Sequence, residues 1–395
     1  MPLRENATAL TLIDAHAARD PAHCAVIFED RVLSYGELVA ASTRLAGTLV
    51  GHGIGAGDRV SMIASNNPDY YIAYLAVLRC GAALFPINTD LTLDEVSYII
   101  GKTDPALVIA DEALHARASE AIAALERKPV LMRLEHLQAE ARTQVVSGEF
   151  PKRSGDDIAL VVHTSGTTAR PKGVVASDRM EIRSACALGD YWDLRPGDIS
   201  VCALPLSYTF GLFSASFTAF CAGASVLLFP KFHPVRVLEG IERHRASYMV
   251  GVPTMYSMML EHVTQTGRRH DLSSVRMMAA SGAPITLKTK EDFRTTFGVT
   301  LRDYYALSEC TPIFSFDLRS ESGSTPPPGS VGQLVQGAEV TLLGDIGRPQ
   351  DRFHRGRERD RPDARGGPGG GGRSAASGAG RNRQGGDRLP ARSAA

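Results

Sequence analysis

The chain has 395 residues, 44% of them hydrophobic and 22% charged; this supports roughly two to three globular domains and excludes a disordered protein. Its 43 basic residues balance 43 acidic ones, so the total charge points to neither nucleic acid nor an anionic membrane. The balance is uneven, because twelve Arg against five acids from Arg348 to Ala395 leave +7 there and −7 in the body before it.

The first half alternates helix and strand. YGELVAASTRLAGTLVGHG (35–53) has apolar residues at helical spacing and ends in Gly. DRVSMIAS is a short apolar strand, NPDYYIAYLAVLRCG a helix with a glycine stop, and ALFPIN and ALVIAD are strands around the helical LTLDEVSYIIGKT. Such alternation predicts a parallel sheet covered on both faces. The pattern restarts after a polar stretch at 147–157. DIALVVHT is a nearly continuous apolar strand, and a helix is expected from near Ser177. VCALPL, ASVLLF, SYMVGVP and VRMMAAS are further strands, with FSASFTAF as a short buried helix and VRVLEGIERHR as a longer one. VGQLVQGAEVTLL (331–343) reads as two short strands around a Gly, the start of a small β piece.

Three global features narrow the class. The six cysteines, at 24, 80, 186, 202, 221 and 310, contain no C-x-x-C pair, which argues against a zinc ribbon or disulfide scaffold and favours a reducing, cytoplasmic setting. The N-terminus lacks the apolar core of a secretory signal. No charged residue occurs from Ile199 to Pro230, but Pro205, Gly211 and Gly223 break that stretch, so buried strands and a short helix are expected rather than a membrane span.

One stretch carries chemistry. TSGTTARPKG (164–173) follows directly on a buried strand, where parallel sheets place ligand-binding loops. Gly166 and Gly173 allow tight turns, and Thr164, Ser165, Thr167 and Thr168 add hydroxyls to backbone N–H groups that can cradle phosphate. Lys172 adds a positive charge. The loop is not G-x-x-x-x-G-K-[ST]. By composition alone it is equally an ordinary polar turn with a solvated Lys.

Further stretches decide between these. Residues 164–173 resemble the T-S-G-[ST]-T-G-x-P-K-G signature of the adenylate-forming superfamily, which includes acyl-CoA synthetases, luciferases and peptide-synthetase adenylation domains; Ala169 replaces a usual Gly. LPLSYTFGL (204–212) resembles that family's LPLFHxxGL, with Tyr208 in place of His. SGAP (281–284), YALSE (305–309, with Ala306 for Gly) and PGSVGQ (328–333) follow in order, and the resemblance covers roughly residues 10 to 347. Several ordered motifs are far more specific than one.

The resemblance implies an α/β fold: a large N-terminal domain (1–347) of two packed parallel-sheet subdomains with an incomplete small β piece, then a disordered tail (348–395). It implies ATP, Mg²⁺ and coenzyme A as cofactor and co-substrates, with a carboxylic acid activated as acyl-adenylate and passed to the CoA thiol. Thr164, Ser165, Gly166, Thr167, Thr168 and Lys172 would embrace the ATP phosphates. Gly282, Ala283 and Pro284 would lie on one face of adenine and Tyr305 on the other; Ser308 would bind the α-phosphate, and Glu309 would hold Mg²⁺. Tyr208 and Phe210 would border the acid. Lys172 and Glu309 would serve catalysis. The absence of acids from 199 to 230 favours a fatty or aryl acid over an amino acid, whose ammonium wants a counter-charge.

The family pattern is not recognisable beyond 347. GDIG (344–347) imitates the family's ribose-binding T-G-D but comes too early, so Asp345 reads as a turn residue. The Arg/Gly-rich tail has no Val, Ile or Met and is expected to be disordered, either as a shifted reading frame or as an RG-rich segment for nucleic acid. A chain without the family's mobile lid and ribose-binding Asp could be a nucleotide-binding fragment rather than an active enzyme. A serine hydrolase is set aside because no G-x-S-x-G occurs.

Overall fold

The computed structural model describes residues 7–144, 149–164, 170–310, 312–319, 327 and 329–341. The chain opens with helix α1 (Ala9–Arg19), then strands β1 (Cys24–Phe28) and β2 (Arg31–Ser34) and helix α2 (Tyr35–Gly51). Next come β3 (Arg59–Ile63), α3 (Pro68–Arg79), β4 (Ala83–Pro86), α4 (Leu93–Thr103), β5 (Leu107–Ala110), α5 (His115–Ala123), β6 (Val130–Arg133), α6 (Leu134–Thr143), β7 (Ile158–Thr164) and β8 (Lys172–Ser177). The second half holds α7 (Asp178–Tyr191), β9 (Ile199–Cys202), a π-helical segment (Phe210–Phe217), α8 (Thr218–Ala222), β10 (Ser225–Leu228), α9 (Pro234–His244) and β11 (Tyr248–Gly251). It ends with α10 (Pro253–Thr266), β12 (Met277–Ala280), α11 (Leu287–Phe297), β13 (Leu301–Asp303), β14 (Phe314–Ser315) and β15 (Gln333–Leu334).

Helix starts follow local sequence. Ser34 accepts from the Glu37 N–H, and the Glu37 carboxylate accepts the Ser34 N–H at 2.8 Å; Thr92 and Glu95 repeat this reciprocal cap. Asn67 caps α3, with Pro68 at its first position, where a missing N–H costs nothing.

Six strands form one sheet in the order β6-β5-β3-β4-β7-β8, and seven form another in the order β13-β12-β11-β9-β10-β1-β2. All neighbours are parallel except β7 with β8 and β1 with β2. This is the expected pair of parallel α/β subdomains. Their shared core holds Val60, Met62 and Leu84 from one sheet with Val201, Val226 and Met278 from the other. Helix α3 lies within that core. Its tyrosines reach outward, Tyr71 to Ser216 of the π-helical segment and Tyr74 to Glu181 of α7. A separate cluster of Ile63, Val108, Ile99, Ile100 and Ile122 covers the other face of the six-stranded sheet under α4 and α5.

The β1–β2 hairpin comes first in the chain but joins the seven-stranded sheet through β10, pairing Val26 with Val226. Three sequence expectations need correction. Lys172 and Gly173 were expected in a loop; they begin strand β8, opposite Thr164 and His163. Gly173 therefore serves packing rather than a turn, since a β-carbon there would sit 3.1 Å from Val161 Cγ1. Finally, of the 331–343 stretch only Gln333–Leu334 is a strand among the described residues, and it pairs antiparallel with Phe314–Ser315. Met1–Val340 is one compact unit; the second, Thr341–Ala395, lies outside the described residues after Thr341, and with it GDIG and the Arg/Gly-rich tail.

The uncharged 199–230 stretch forms β9, the π-helical segment, α8 and β10, and no helix among the described residues is long and apolar enough to cross a membrane. The π geometry has local support. Ser216 donates to the Gly211 carbonyl and Thr218 to the Phe213 carbonyl, each five residues back, so hydroxyls satisfy acceptors in the widened turn. Gly211 is obligatory there, because a β-carbon would meet the Pro205 carbonyl oxygen at 2.3 Å.

Candidate active site

The motif residues gather at the carboxyl ends of strands, where open α/β sheets bind ligands. Thr164 ends β7, and the 204–212 stretch follows β9. The 281–284 turn follows β12, and Tyr304–Tyr305 follow β13, the adjacent parallel strand.

The second and third motifs meet directly. The hydroxyls of Thr209 and Ser308 lie 3.4 Å apart. Phe210 packs edge-on against Tyr304 with ring centroids 6.0 Å apart. Tyr304 is buried, and that burial pushes its hydroxyl up. Its backbone N–H donates to the Ala280 carbonyl at 3.1 Å, so this core tyrosine ties the end of β12 to the π-helical segment on which its ring packs. Tyr305 points the other way and is 44% exposed, its backbone bridged to Phe314. Gly282, Ala283 and Pro284 are exposed beside it in the order of strands, and Gly282 has a φ of +85°, which favours glycine.

Two asparagines missed by sequence reading hold the 204–212 stretch. Asn66, just after β3, donates to the Leu204 carbonyl at 2.8 Å and the Phe229 carbonyl at 3.1 Å and accepts from the Leu206 N–H at 2.9 Å. Asn88, just after β4, donates to the Tyr208 hydroxyl at 2.6 Å. Both stand at carboxyl ends of strands in the other sheet. That position was the only sequence clue, because their partners lie 120 to 163 residues away.

Around the phosphate-loop candidate, Ser165, Gly166, Thr167 and Thr168, with Ala169, lie outside the described residues. Its flanks are defined. Lys172 is exposed and makes no ion pair among the described residues. Arg170 stacks over the Tyr98 ring of α4 at 4.9 Å. His163, one residue before the loop, is buried with an unpartnered Nδ1; burial first, then the Lys102 ammonium, lower its imidazole below the ordinary value. The helix that follows is anchored by the buried Arg153–Asp178 pair at 2.7 Å, with Arg153 also donating to the Ala82 and Ile158 carbonyls.

Glu309 is exposed and lines a cleft of about 710 Å³ with Met180, Arg183, Tyr191, Cys310 and Arg319. A second cleft, about 440 Å³, lies beside edge strand β13 between Leu287, Arg294, Phe316 and Gly329 of the PGSVGQ motif; Pro328 of that motif is outside the described residues. Among the described residues no hydrogen bond or ion pair joins Lys172 to Ser308, Glu309 or the 282–284 turn.

Two packed parallel sheets presenting loops from aligned strand ends define an α/β architecture of the doubly wound kind. The family profile described as "AMP-binding enzyme" matches residues 13–357, and the chain belongs to that family. It is 29% identical over 336 residues to an oxalate–CoA ligase of Arabidopsis thaliana, covering 82% of this chain and 64% of the relative. It is 27% identical over 333 residues to a 3-hydroxybenzoate–CoA/4-hydroxybenzoate–CoA ligase of Thauera aromatica, covering 82% and 62%. The solved structure of ATP-bound MatB from Rhodopseudomonas palustris superposes with a TM-score of 0.74 at 28% identity, covering 83% of this chain and 65% of that one. The chain thus spans a little under two thirds of the length of these relatives.

Proposed function

We propose that the chain carries the ATP-dependent activation of a carboxylic acid and its transfer to coenzyme A. In the first step a carboxylate oxygen attacks the α-phosphorus of ATP and pyrophosphate leaves, giving an acyl-adenylate. In the second the CoA thiolate attacks the acyl carbon and AMP leaves. The observation that carries this reading is the Thr209–Ser308 contact at 3.4 Å, which brings the acid-side and nucleotide-side motifs together. Both relatives described above are named as CoA ligases, and the MatB structure holds ATP.

The first step joins two anions, so the site must neutralise charge and align the nucleophile. In this reading Thr164, Ser165, Gly166, Thr167, Thr168 and Lys172 hold the triphosphate. Gly282, Ala283 and Pro284 face Tyr305 across adenine, and Ser308 takes the α-phosphate. Tyr208 and Phe210 border the acid, with Asn88 fixing the Tyr208 hydroxyl. Glu309 suits Mg²⁺, because it is exposed and without a cationic partner among the described residues. No group of three metal-ligating side chains occurs among those residues, and a magnesium held by one carboxylate plus substrate phosphates needs none. When bound, Mg²⁺ supplies charge neutralisation at the phosphates.

The acid is aryl or fatty. Residues 199–230 offer no charged group for an ammonium, and relatives are named for hydroxybenzoate, indoleacetate and ferulate. The competing reading is nucleotide binding without turnover. Exchange of labelled pyrophosphate into ATP, dependent on an added acid, separates them. We expect exchange with at least one aryl or fatty acid and none with amino acids. ATP binding with no exchange across the panel would leave only the binding reading.

A further inference from the structure

We propose that Tyr98 of α4 is a positioning residue for Lys172, acting through Arg170. Its weight for ATP rests on the proposed role of Lys172; the anchoring itself does not.

Tyr98 sits on a firm base. The reciprocal Thr92–Glu95 cap fixes the start of α4, and the half-buried Tyr98 ring packs against the cluster of Ile63, Ile99, Ile100 and Val108. The Arg170 guanidinium lies over this ring, 4.9 Å from its centroid. That is within the reach of a cation–π contact, which a planar guanidinium makes by stacking. Lys102, one turn further along α4, donates to the Tyr98 hydroxyl at 3.3 Å, with its ammonium 5.7 Å from the ring centroid. Arg170 is exposed and makes no ion pair or hydrogen bond among the described residues, so the ring is what holds it there.

The hold passes to Lys172 through a short, stiff connection. Pro171 stands between the two residues and has a fixed φ. Two residues span at most about 7 Å, so a fixed Arg170 confines the Lys172 backbone. Lys172 itself opens β8 opposite Thr164. It is thus held from one side by the ladder to β7 and from the other by the stack on α4. With the stack gone, bound ATP has to order this stretch itself, which weakens binding. Once ATP is bound, Lys172 stands in the same place, so turnover is unaffected. An exposed cation–π contact corresponds to a factor of about two to five.

The test uses the full chain and two readouts. The first is trypsin cleavage after Lys172 without ligand, followed by the fragment beginning at Gly173. Tyr98→Leu and Arg170→Ala are expected to speed this cleavage about two- to five-fold, because cleavage tracks local opening. Tyr98→Phe keeps the ring, loses only the Lys102 bond, and is expected to cleave like the parent. Unchanged cleavage in both Tyr98→Leu and Arg170→Ala would overturn the anchoring. The second readout is acid-dependent pyrophosphate exchange. Tyr98→Leu is expected to raise KM for ATP by the same factor of about two to five with kcat unchanged, and to have no further effect in a Lys172→Ala background. A fall in kcat alone, or an undiminished effect without the Lys172 side chain, would overturn the role of Tyr98 toward Lys172. If the parent shows no exchange, the ATP dissociation constant from equilibrium dialysis takes the place of KM, so failure of the proposed function and failure of this role are told apart. Circular dichroism checks that Tyr98→Leu folds; if it does not, Arg170→Ala, at an exposed position, decides both readouts.

Discussion

At the residue scale, charges differ sharply in what surrounds them. Lys172 is exposed and unpaired among the described residues, so its removal disturbs no packing. If it neutralises the triphosphate, Lys172→Ala should lower acid-dependent pyrophosphate exchange roughly 100-fold, as losing one preorganised electrostatic group does, with the denaturation midpoint unchanged. Equal loss of stability and exchange would instead make it structural. Glu181 is the opposite case. It is 3% exposed, accepts from Tyr74 at one oxygen and has no partner at the other. Burial first, then the Asp178 charge, raise its carboxyl well above 4.5. Above pH 4.5 the unfolded chain has lost this proton while the native state keeps it, so stability is fully present below that pH and falls as pH rises through the folded value. Glu181→Gln keeps the acceptor for Tyr74 and removes the titration. Its stability should decline less with pH than the parent's, by up to about 1.4 kcal/mol per pH unit within that window. Parallel urea-derived stability profiles from pH 5 to 8 would contradict this assignment.

At the element scale, the 204–212 stretch is shaped from outside itself. Asn66→Ala would leave the Leu204 and Phe229 carbonyls and the Leu206 N–H without their partner. Each such buried group costs about 1–3 kcal/mol, so a loss of about 3 kcal/mol is expected in denaturant unfolding. A loss under about 0.5 kcal/mol would mean that water replaces the amide. This element also shows what the sequence could and could not reveal. Strands such as DIALVVHT, and helices such as α2 with its Ser34–Glu37 cap, were legible because their signals are local runs and spacings. Motif turns were legible because glycines at 211 and 282 answer backbone demands that only their own neighbourhood sets. Asn66, Asn88 and β8 were not, since each is defined by pairing across the fold or by a hairpin within a stretch that read as a loop.

At the scale of the whole molecule, one core serves both sheets. Residues of β3, β4, β9, β10 and β12 belong to a single buried cluster with α3 inside it. The two subdomains should therefore lose structure together. Trp192, the only tryptophan, is buried on the side of the seven-stranded sheet, donating to Ser315 and packed against Tyr304. Its fluorescence and far-ultraviolet circular dichroism are expected to report coincident urea midpoints. A separate, earlier Trp192 transition would show that the seven-stranded half unfolds alone. The parallel-sheet class was readable from strand–helix alternation. The division of strands between sheets was not, because nothing local in CAVIF says that its parallel partner is some 200 residues on.

That pairing of Val26 with Val226 has a consequence for biosynthesis. The hairpin leaves the ribosome early, yet its inner neighbour β10 emerges only after about 200 further residues, which takes about 10 to 40 s at ordinary elongation rates. During that interval CAVIF, an apolar strand whose inner edge faces no partner, is exposed to other nascent chains. Chaperones that hold extended apolar segments would find in it an early client site, one that closes only when the second half of the chain arrives.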